Sequence, residues 1–350
     1  MIFVLLFTIV FLLHQLINLL FRLTDEIIFF RYRQQRITTP FFIIANPRSG
    51  TTFLHHLLSL DNRFAYMKLA HTIFPSVSFT KLYRLVGFID RKLGGPFSKL
   101  LNKAGKYLFR GWENIHPLGF TRTEEDEAIF TLALTSPAVF LLFPFLHKLK
   151  ENWILDNEPE PVKQKMMNYY VNSIKRFMYA NGLGKTYLSK NVLSSGRIHE
   201  LMKRFPDARI IYLARNPYEA LPSFISMFGV MYNVHSPWIK NNDDALKAWA
   251  WLGIAFYKHI FSALPSIDHK HLCLIKYDDL TLNPKATVQN IYGKWNLDLS
   301  NDFELKLDSE NRKNKSYKSK HSYSLEKYGL TQNQIYIELE FVFTYFDFQT

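Results

Sequence analysis

Six residues carry the clearest chemistry in the chain: Pro47-Arg48-Ser49-Gly50-Thr51-Thr52. They follow a short apolar run, Phe41 to Ala45, that reads as a buried parallel strand. They precede Phe53 to Leu60, which reads as a helix. A tight turn from strand into helix aims backbone N–H groups at one spot, and the helix N-terminus adds partial positive charge there. Such a spot holds a phosphate. Gly50 permits close approach of the backbone, Thr51 and Thr52 offer hydroxyls, and Arg48 supplies a permanent forked cation. The pattern departs from the nucleotide-triphosphatase loop. Ala45 stands at its first glycine position and Thr51 at its lysine position. The later strand Arg209–Ala214 ends in Arg215 rather than in an acidic magnesium ligand. Both departures argue against magnesium-dependent ATP or GTP chemistry.

Further blocks give the loop a family context. Phe205-Pro206-Asp207-Ala208-Arg209, then Arg215-Asn216-Pro217 with Ser223 eight residues after Arg215, resemble the 3′-phosphate site of sulfotransferases that use 3′-phosphoadenosine-5′-phosphosulfate (PAPS). The loop itself resembles their 5′-phosphosulfate loop. Tyr277-Asp278-Asp279-Leu280 with Pro284, and His321–Thr331, resemble two later blocks of the same family. The likeness runs from about Phe41 to Thr331 and is strongest to bacterial-type sulfotransferases with Arg in the loop. It implies a PAPS-dependent sulfotransferase with a P-loop-like α/β fold, a parallel sheet flanked by helices.

That resemblance distributes roles. Backbone and hydroxyls of Ser49, Gly50, Thr51 and Thr52 are expected to hold the 5′-phosphosulfate, with Arg215 and Ser223 on the 3′-phosphate. Arg48 is the expected stabiliser of charge on the leaving nucleotide. Lys190, at the end of the Thr186–Ser189 strand, is a further expected catalytic residue: it resembles the lysine of a Lys-Ser-Pro block, although Asn191 and Val192 depart from that pattern. His71, in His71-Thr72-Ile73-Phe74-Pro75, stands where related proteins often carry a catalytic Glu, and is the expected base for the acceptor hydroxyl. His116, Glu124 and Glu125 are its rivals. Arg312, Lys313, Lys315, Lys318 and Lys320 form a basic run that reads either as a solvated loop or as a lid over the nucleotide. No His/Asp/Glu cluster has convincing metal spacing, so no metal is expected.

The elements that must position these groups alternate along the chain. Strand candidates at Thr186–Ser189, Arg209–Ala214 and His271–Tyr277 are separated by helical patterns such as Ile198–Phe205 and Tyr218–Met227. Residues 61–184 read as a helical insertion that forms the acceptor site. Within it Ala128–Leu146 is almost wholly apolar but broken by Pro137 and Pro144, so it reads as core or pocket rather than as a membrane span. Glu124 to Glu127 beside it read as a hydrated acidic shoulder.

The expected layout has three parts: residues 1–21 as an N-terminal transmembrane or interfacial helix, 22–40 as a basic linker, and 41–350 as the sulfotransferase domain. Met1 to Phe21 has no charged side chain. About 21 residues at ~1.5 Å each span roughly 31 Å, close to a bilayer core. His14, Asn18 and Arg22 recur every four residues, so half of the segment carries a polar stripe. Arg22, Arg31, Arg33 and Arg36 follow it, which places the catalytic domain in the cytosol if the helix spans.

Composition limits the alternatives. In 350 residues, 48% are hydrophobic and 21% charged, which excludes a disordered chain, and scattered charge excludes a polytopic membrane protein. The single Cys273 excludes an intrachain disulfide framework. The net charge of +13 predicts anionic partners, but no nucleic-acid signature accompanies it. The expected partners are therefore a small-molecule, lipid or glycan acceptor and a membrane. A P-loop kinase and a non-catalytic, basic anion-binding protein are the competing classes.

Overall fold

The computed structural model describes residues 2–100, 103, 125–148, 154–241, 243–315 and 323–350. The chain opens with helix α1 (Ile2–Ile28), longer than the expected 1–21. Strand β1 (Phe41–Ala45) leads into α2 (Thr51–Ser59), then a two-residue strand β2 (Phe64–Ala65), α3 (Leu69–Ile73) and α4 (Val77–Lys92). After α5 (Glu127–Leu132) and α6 (Glu160–Asn181) come β3 (Thr186–Lys190), α7 (Ile198–Arg204), β4 (Arg209–Ala214), α8 (Pro217–His235) and α9 (Asp244–Ala263). The chain finishes with β5 (Leu272–Lys276), α10 (Tyr277–Leu282), α11 (Pro284–Lys294), α12 (Asn301–Lys315) and α13 (Gln332–Phe346).

The five strands among the described residues are parallel, in the order β2-β3-β1-β4-β5. β1 is central, paired on one side with β3 (Phe42 opposite Ser189) and on the other with β4 (Ile44 opposite Tyr212). Its five residues are all buried because helices cover both faces. Side chains alternate: Phe42 and Ile44 join the core that includes Trp249, Phe256 and Tyr257 of α9. Phe41, Ile43 and Ala45 join the core that includes Leu54, Leu57 and Leu58 of α2 and Ile291 of α11. The loop after β1 thus leaves the carboxyl edge of the sheet at its middle, where ligands bind in open parallel sheets.

The apolar stretch 128–146 does not form one long helix. Short α5 gives way to a 3₁₀ turn at Pro137–Leu141, whose entry is capped when Ser136 Oγ accepts from Ala138 N. Several of its side chains line a cavity instead. Helix α1 contains a segment, Val4–Ile28, long and apolar enough to cross a bilayer by length and composition. Its leucines are largely exposed.

Candidate active site

Local sequence explains how the loop is held. Gly50 adopts φ +84 at the N-terminus of α2, a left-handed value that glycine takes without strain. It offers no side-chain cap, so the leading N–H groups of α2 stay available to an anion. A Cβ at this position would lie 2.8 Å from the Tyr277 ring. Arg48 is also left-handed, at φ +71, a conformation that non-glycine residues seldom keep except at functional loops.

Two distant chain segments meet at this loop. The Arg215 guanidinium donates from Nη1 to the backbone carbonyl of Arg48 at 2.7 Å. Arg48 Nε in turn donates to Ser223 Oγ at 3.1 Å. Arg215 lies over the Tyr277 ring, 4.2 Å from its centroid, and its Nε and Nη2 both donate to Glu219 Oε2. The motif Arg215-Asn216-Pro217 has a structural reason as well: Asn216 Oδ1 accepts from Tyr218 N and Pro217 opens α8. Arg48, Gly50, Thr51, Thr52, Arg215 and Tyr277 line one cavity of about 910 Å³. Its other wall is mostly apolar, with Leu69, Ile73, Leu132, Leu141 and Phe228.

Lys190 ends β3 with its side chain 1% exposed. Its ammonium donates to Thr52 Oγ1 at 3.1 Å and lies 3.3 Å from Glu125 Oε1. Glu125 reaches the cavity wall. Its two neighbours are locked in place. Asp126 is buried and its Oδ2 accepts from the hydroxyls of Tyr170 (2.5 Å), Tyr187 (2.9 Å) and Ser189 (2.7 Å), while Oδ1 accepts from Asn191 Nδ2 (2.8 Å). Burial nonetheless raises its carboxyl above the ordinary range. Glu127 takes a bidentate pair from Arg197 at 2.8 and 3.0 Å. The expected hydrated shoulder is therefore wrong for these two residues, which are buried anchors that fix the backbone at Glu125.

Not every expected site residue lines the cavity. Ser49, Ser223 and Lys190 are buried and lie outside the lining, Ser49 with an unpartnered hydroxyl, Ser223 holding Arg48, and Lys190 reaching the lining residue Thr52. The structure does not favour His71 as base. Its ring is buried outside the lining, packed against Phe177 and Tyr83, and Nδ1 accepts from Lys68 N at 3.1 Å. It occupies the third position of α3, where a Glu or Gln closes a capping box equally well. Burial, with Lys68 nearby, lowers its pKa to about 4. The folded state holds the ring neutral, so the stabilisation is complete above pH 6.5 and is lost as pH falls toward 4. We expect wild-type stability to drop by about 2 kcal/mol between pH 7 and pH 5 from this residue. His71→Gln, which keeps the cap, should flatten that window in urea titrations. His116 and Glu124 lie outside the described residues.

Tyr277 escaped assignment although its block was visible, because nothing local marks a ring that must both cover Gly50 and stack on Arg215. Of the basic run, Arg312, Lys313 and Lys315 lie in the last turn of α12, and Lys313 lines the cavity together with Asn314, whose Nδ2 donates to Thr281 O at 2.6 Å. Lys318 and Lys320 lie outside the described residues. Folding also gathers potential metal ligands that spacing did not reveal. Asp156, His199 and His259 bring one atom each to within 4.8 Å of one another, away from the cavity lining. The Asp156 carboxylate there accepts from His199 N, Glu200 N and His259 Nε2, a complete account as a helix cap.

With this geometry in place, comparison decides the family. The sequence profile of the sulfotransferase family matches residues 40–301. The chain is a member of the sulfotransferase family. Among curated proteins it is 25% identical over 328 residues to the omega-hydroxy-beta-dihydromenaquinone-9 sulfotransferase Stf3 of Mycobacterium bovis and of Mycobacterium tuberculosis, covering 91% of this chain and 77% of the relative. Among solved structures it resembles sulfotransferase STF9 from Mycobacterium avium, with a TM-score of 0.75 at 17% identity over 91% of this chain and 79% of that one. Sulfotransferase STF1 from Mycobacterium tuberculosis gives 0.67 at 19% identity, over 92% and 82%. The α/β fold of this sulfotransferase is thus shared with enzymes that transfer sulfuryl groups.

Proposed function

We propose that this sulfotransferase moves a sulfuryl group from PAPS to a hydroxyl on a lipophilic acceptor. The observation that carries the reading is the 2.7 Å hydrogen bond from Arg215 to the Arg48 carbonyl, which puts a second cation beside the loop within one cavity. The residues present suit a nucleotide with two phosphate-bearing ends. N–H groups of Gly50 to Thr52 take the 5′ end, and Arg215, once it exchanges Glu219 for a better anion, takes the 3′-phosphate. Tyr277 holds the two segments in register. Ser223 acts through Arg48 rather than on the phosphate.

In the reaction the acceptor oxygen attacks sulfur, the bond from sulfur to the bridging phosphate oxygen breaks, and 3′-phosphoadenosine-5′-phosphate leaves. The acceptor proton passes to the Glu125 carboxylate, which faces the cavity beside Lys190. Lys190 and Arg48 offset charge growing on the leaving oxygen. The apolar wall suits a hydrocarbon-rich acceptor. Stf3, whose name specifies a hydroxylated menaquinone derivative, gives the same direction. The catalytic domain in this reading begins near residue 41, and α1 associates it with a membrane.

Thermal shift with 3′-phosphoadenosine-5′-phosphate, ADP and magnesium-ATP tests the donor. The first should stabilise the protein most. Arg215→Ala should weaken it by roughly 10- to 100-fold, the worth of a charge-assisted hydrogen bond, while ADP, which loses only the support Arg215 gives the Arg48 carbonyl, should weaken clearly less. Equal losses for both nucleotides would remove Arg215 from the 3′-phosphate.

A further inference from the structure

Helix α1 is apolar enough to span a bilayer, yet its polar stripe is already spent on the protein. Phe7 packs edge-on to Phe143, with centroids 5.2 Å apart. His14 Nε2 meets Ile73 O at 2.9 Å, and Gln15 donates to Leu132 O at 2.7 Å. Asn18 donates to the Tyr169 hydroxyl, and Arg22 to Ser173 Oγ. Asp25 accepts from Val77 N, Ser78 N and Arg176 Nε. From Phe7 to Asp25 the helix rises about 27 Å, nearly the thickness of the hydrocarbon core. The catalytic body therefore flanks α1 over the whole depth that a spanning helix would occupy. Spanning would carry α6, with Lys163, Lys165 and Lys175, into hydrocarbon. Ions are excluded there.

The opposite face is bare. Leu5, Leu12 and Leu19, seven residues apart and so on nearly one line, are each more than half exposed. α4 packs beside it, with Phe21 edge-on to Phe79 and Ser78 Oγ donating to Phe21 O. The exposed side of α4, of the turn after it and of the helical residues from 96 on carries Leu85, Phe88, Leu93 and Phe97. The same stretch presents Lys81, Arg84, Arg91, Lys92 and Lys99, all exposed, and its one acid, Asp90, is buried on the N–H groups of Phe97 and Ser98. An apolar face fringed by exposed cations, five against one buried acid, matches an anionic leaflet.

We propose that α1 and α4 form an in-plane docking face on an anionic membrane leaflet, with α1 lying along the interface rather than crossing it. The face borders the apolar end of the cavity, since His14 and Gln15 of α1 bond to Ile73 and Leu132, the two residues or their neighbours that line it. A bilayer-dissolved acceptor would reach the site beside α1. That consequence rests on the acceptor reading above; the docking does not.

Depth measurement tests it. Full-length Leu5→Cys, Leu12→Cys and Leu19→Cys proteins, each labelled with an environment-sensitive fluorophore, are bound to phosphatidylglycerol–phosphatidylcholine vesicles, with wild type, whose Cys273 is buried, as background. Quenchers at set bilayer depths should place all three labels equally shallow. A spanning helix would grade them across about 21 Å and overturn the proposal. Flotation with the Arg91→Gln, Lys92→Gln double variant should show at least tenfold weaker binding to anionic vesicles, at roughly fivefold per charge. Equal binding to neutral phosphatidylcholine, or vesicle-resistant self-association through this face, would overturn the anionic-leaflet assignment. Unchanged 3′-phosphoadenosine-5′-phosphate binding in the double variant establishes that it is folded.

Discussion

Glu125→Gln should lower single-turnover sulfuryl transfer by roughly 10²- to 10⁴-fold, the usual contribution of a positioned general base. Nucleotide affinity should stay near wild type, because the amide keeps the size of the side chain and its contact with Lys190. The argument is geometric. Of the three described acids in the run Glu124–Glu127, Asp126 is committed to four donors, and Glu127, though it too lines the cavity, is held bidentate by Arg197. Glu125 remains partly exposed at the cavity wall, with Lys190 3.3 Å away. Lys190 also touches Thr52, so a single ammonium ties the base to the nucleotide loop. Charge on the acceptor oxygen and charge on the leaving oxygen would then develop on either side of one fixed cation. His71→Gln is the matched control and should retain turnover. Rapid quench with labelled donor and any active hydroxylated lipid acceptor reads both variants. A Glu125→Gln enzyme at wild-type rate would take the proton-accepting role away from this residue.

The parts that sequence disclosed are those whose chemistry is local. A strand, a phosphate loop and a helix are adjacent in the chain, so five buried apolar residues followed by Arg48 to Thr52 suffice to show them. Arg215 could be placed because its block resembles the family's 3′-phosphate site, and β4 does end on the same sheet edge as β1. The stripe of His14, Asn18 and Arg22 was legible as helical spacing, but whether it faced water or protein was not, since its partners lie more than fifty residues away. β2, at two residues, is too short to leave a pattern. His71 poses a different difficulty. A capping residue and a catalytic base at the same position have the same sequence signature, and only burial of the ring separates them. Asp126 is the sharpest case. Its donors come from α6, β3 and the residue after β3, so an acid beside other acids looked solvated when it is the most completely hydrogen-bonded carboxylate near the site.

Asp126→Ala should cost about 3–5 kcal/mol of stability, as expected when one side of a buried charged cluster is deleted. The substitution strands four donors at once: the hydroxyls of Tyr170, Tyr187 and Ser189, and the amide of Asn191. Asn191 matters twice, because its Oδ1 also accepts from Leu193 N and Ser194 N and so shapes the turn leaving β3 beyond Lys190. Loss of the carboxylate therefore loosens both Glu125, its chain neighbour, and the strand end that presents Lys190. Asp126→Asn is the informative partner. It preserves shape and one acceptor but brings an NH₂ toward groups that already donate, so it should cost less in stability than Asp126→Ala and still depress turnover. Urea midpoints for both variants, read beside single-turnover rates and nucleotide affinity, separate the two effects. If Asp126→Asn matches wild type in rate while losing stability, the cluster supports only the fold; a rate deficit in still-folded protein ties it to the placement of Glu125 and Lys190.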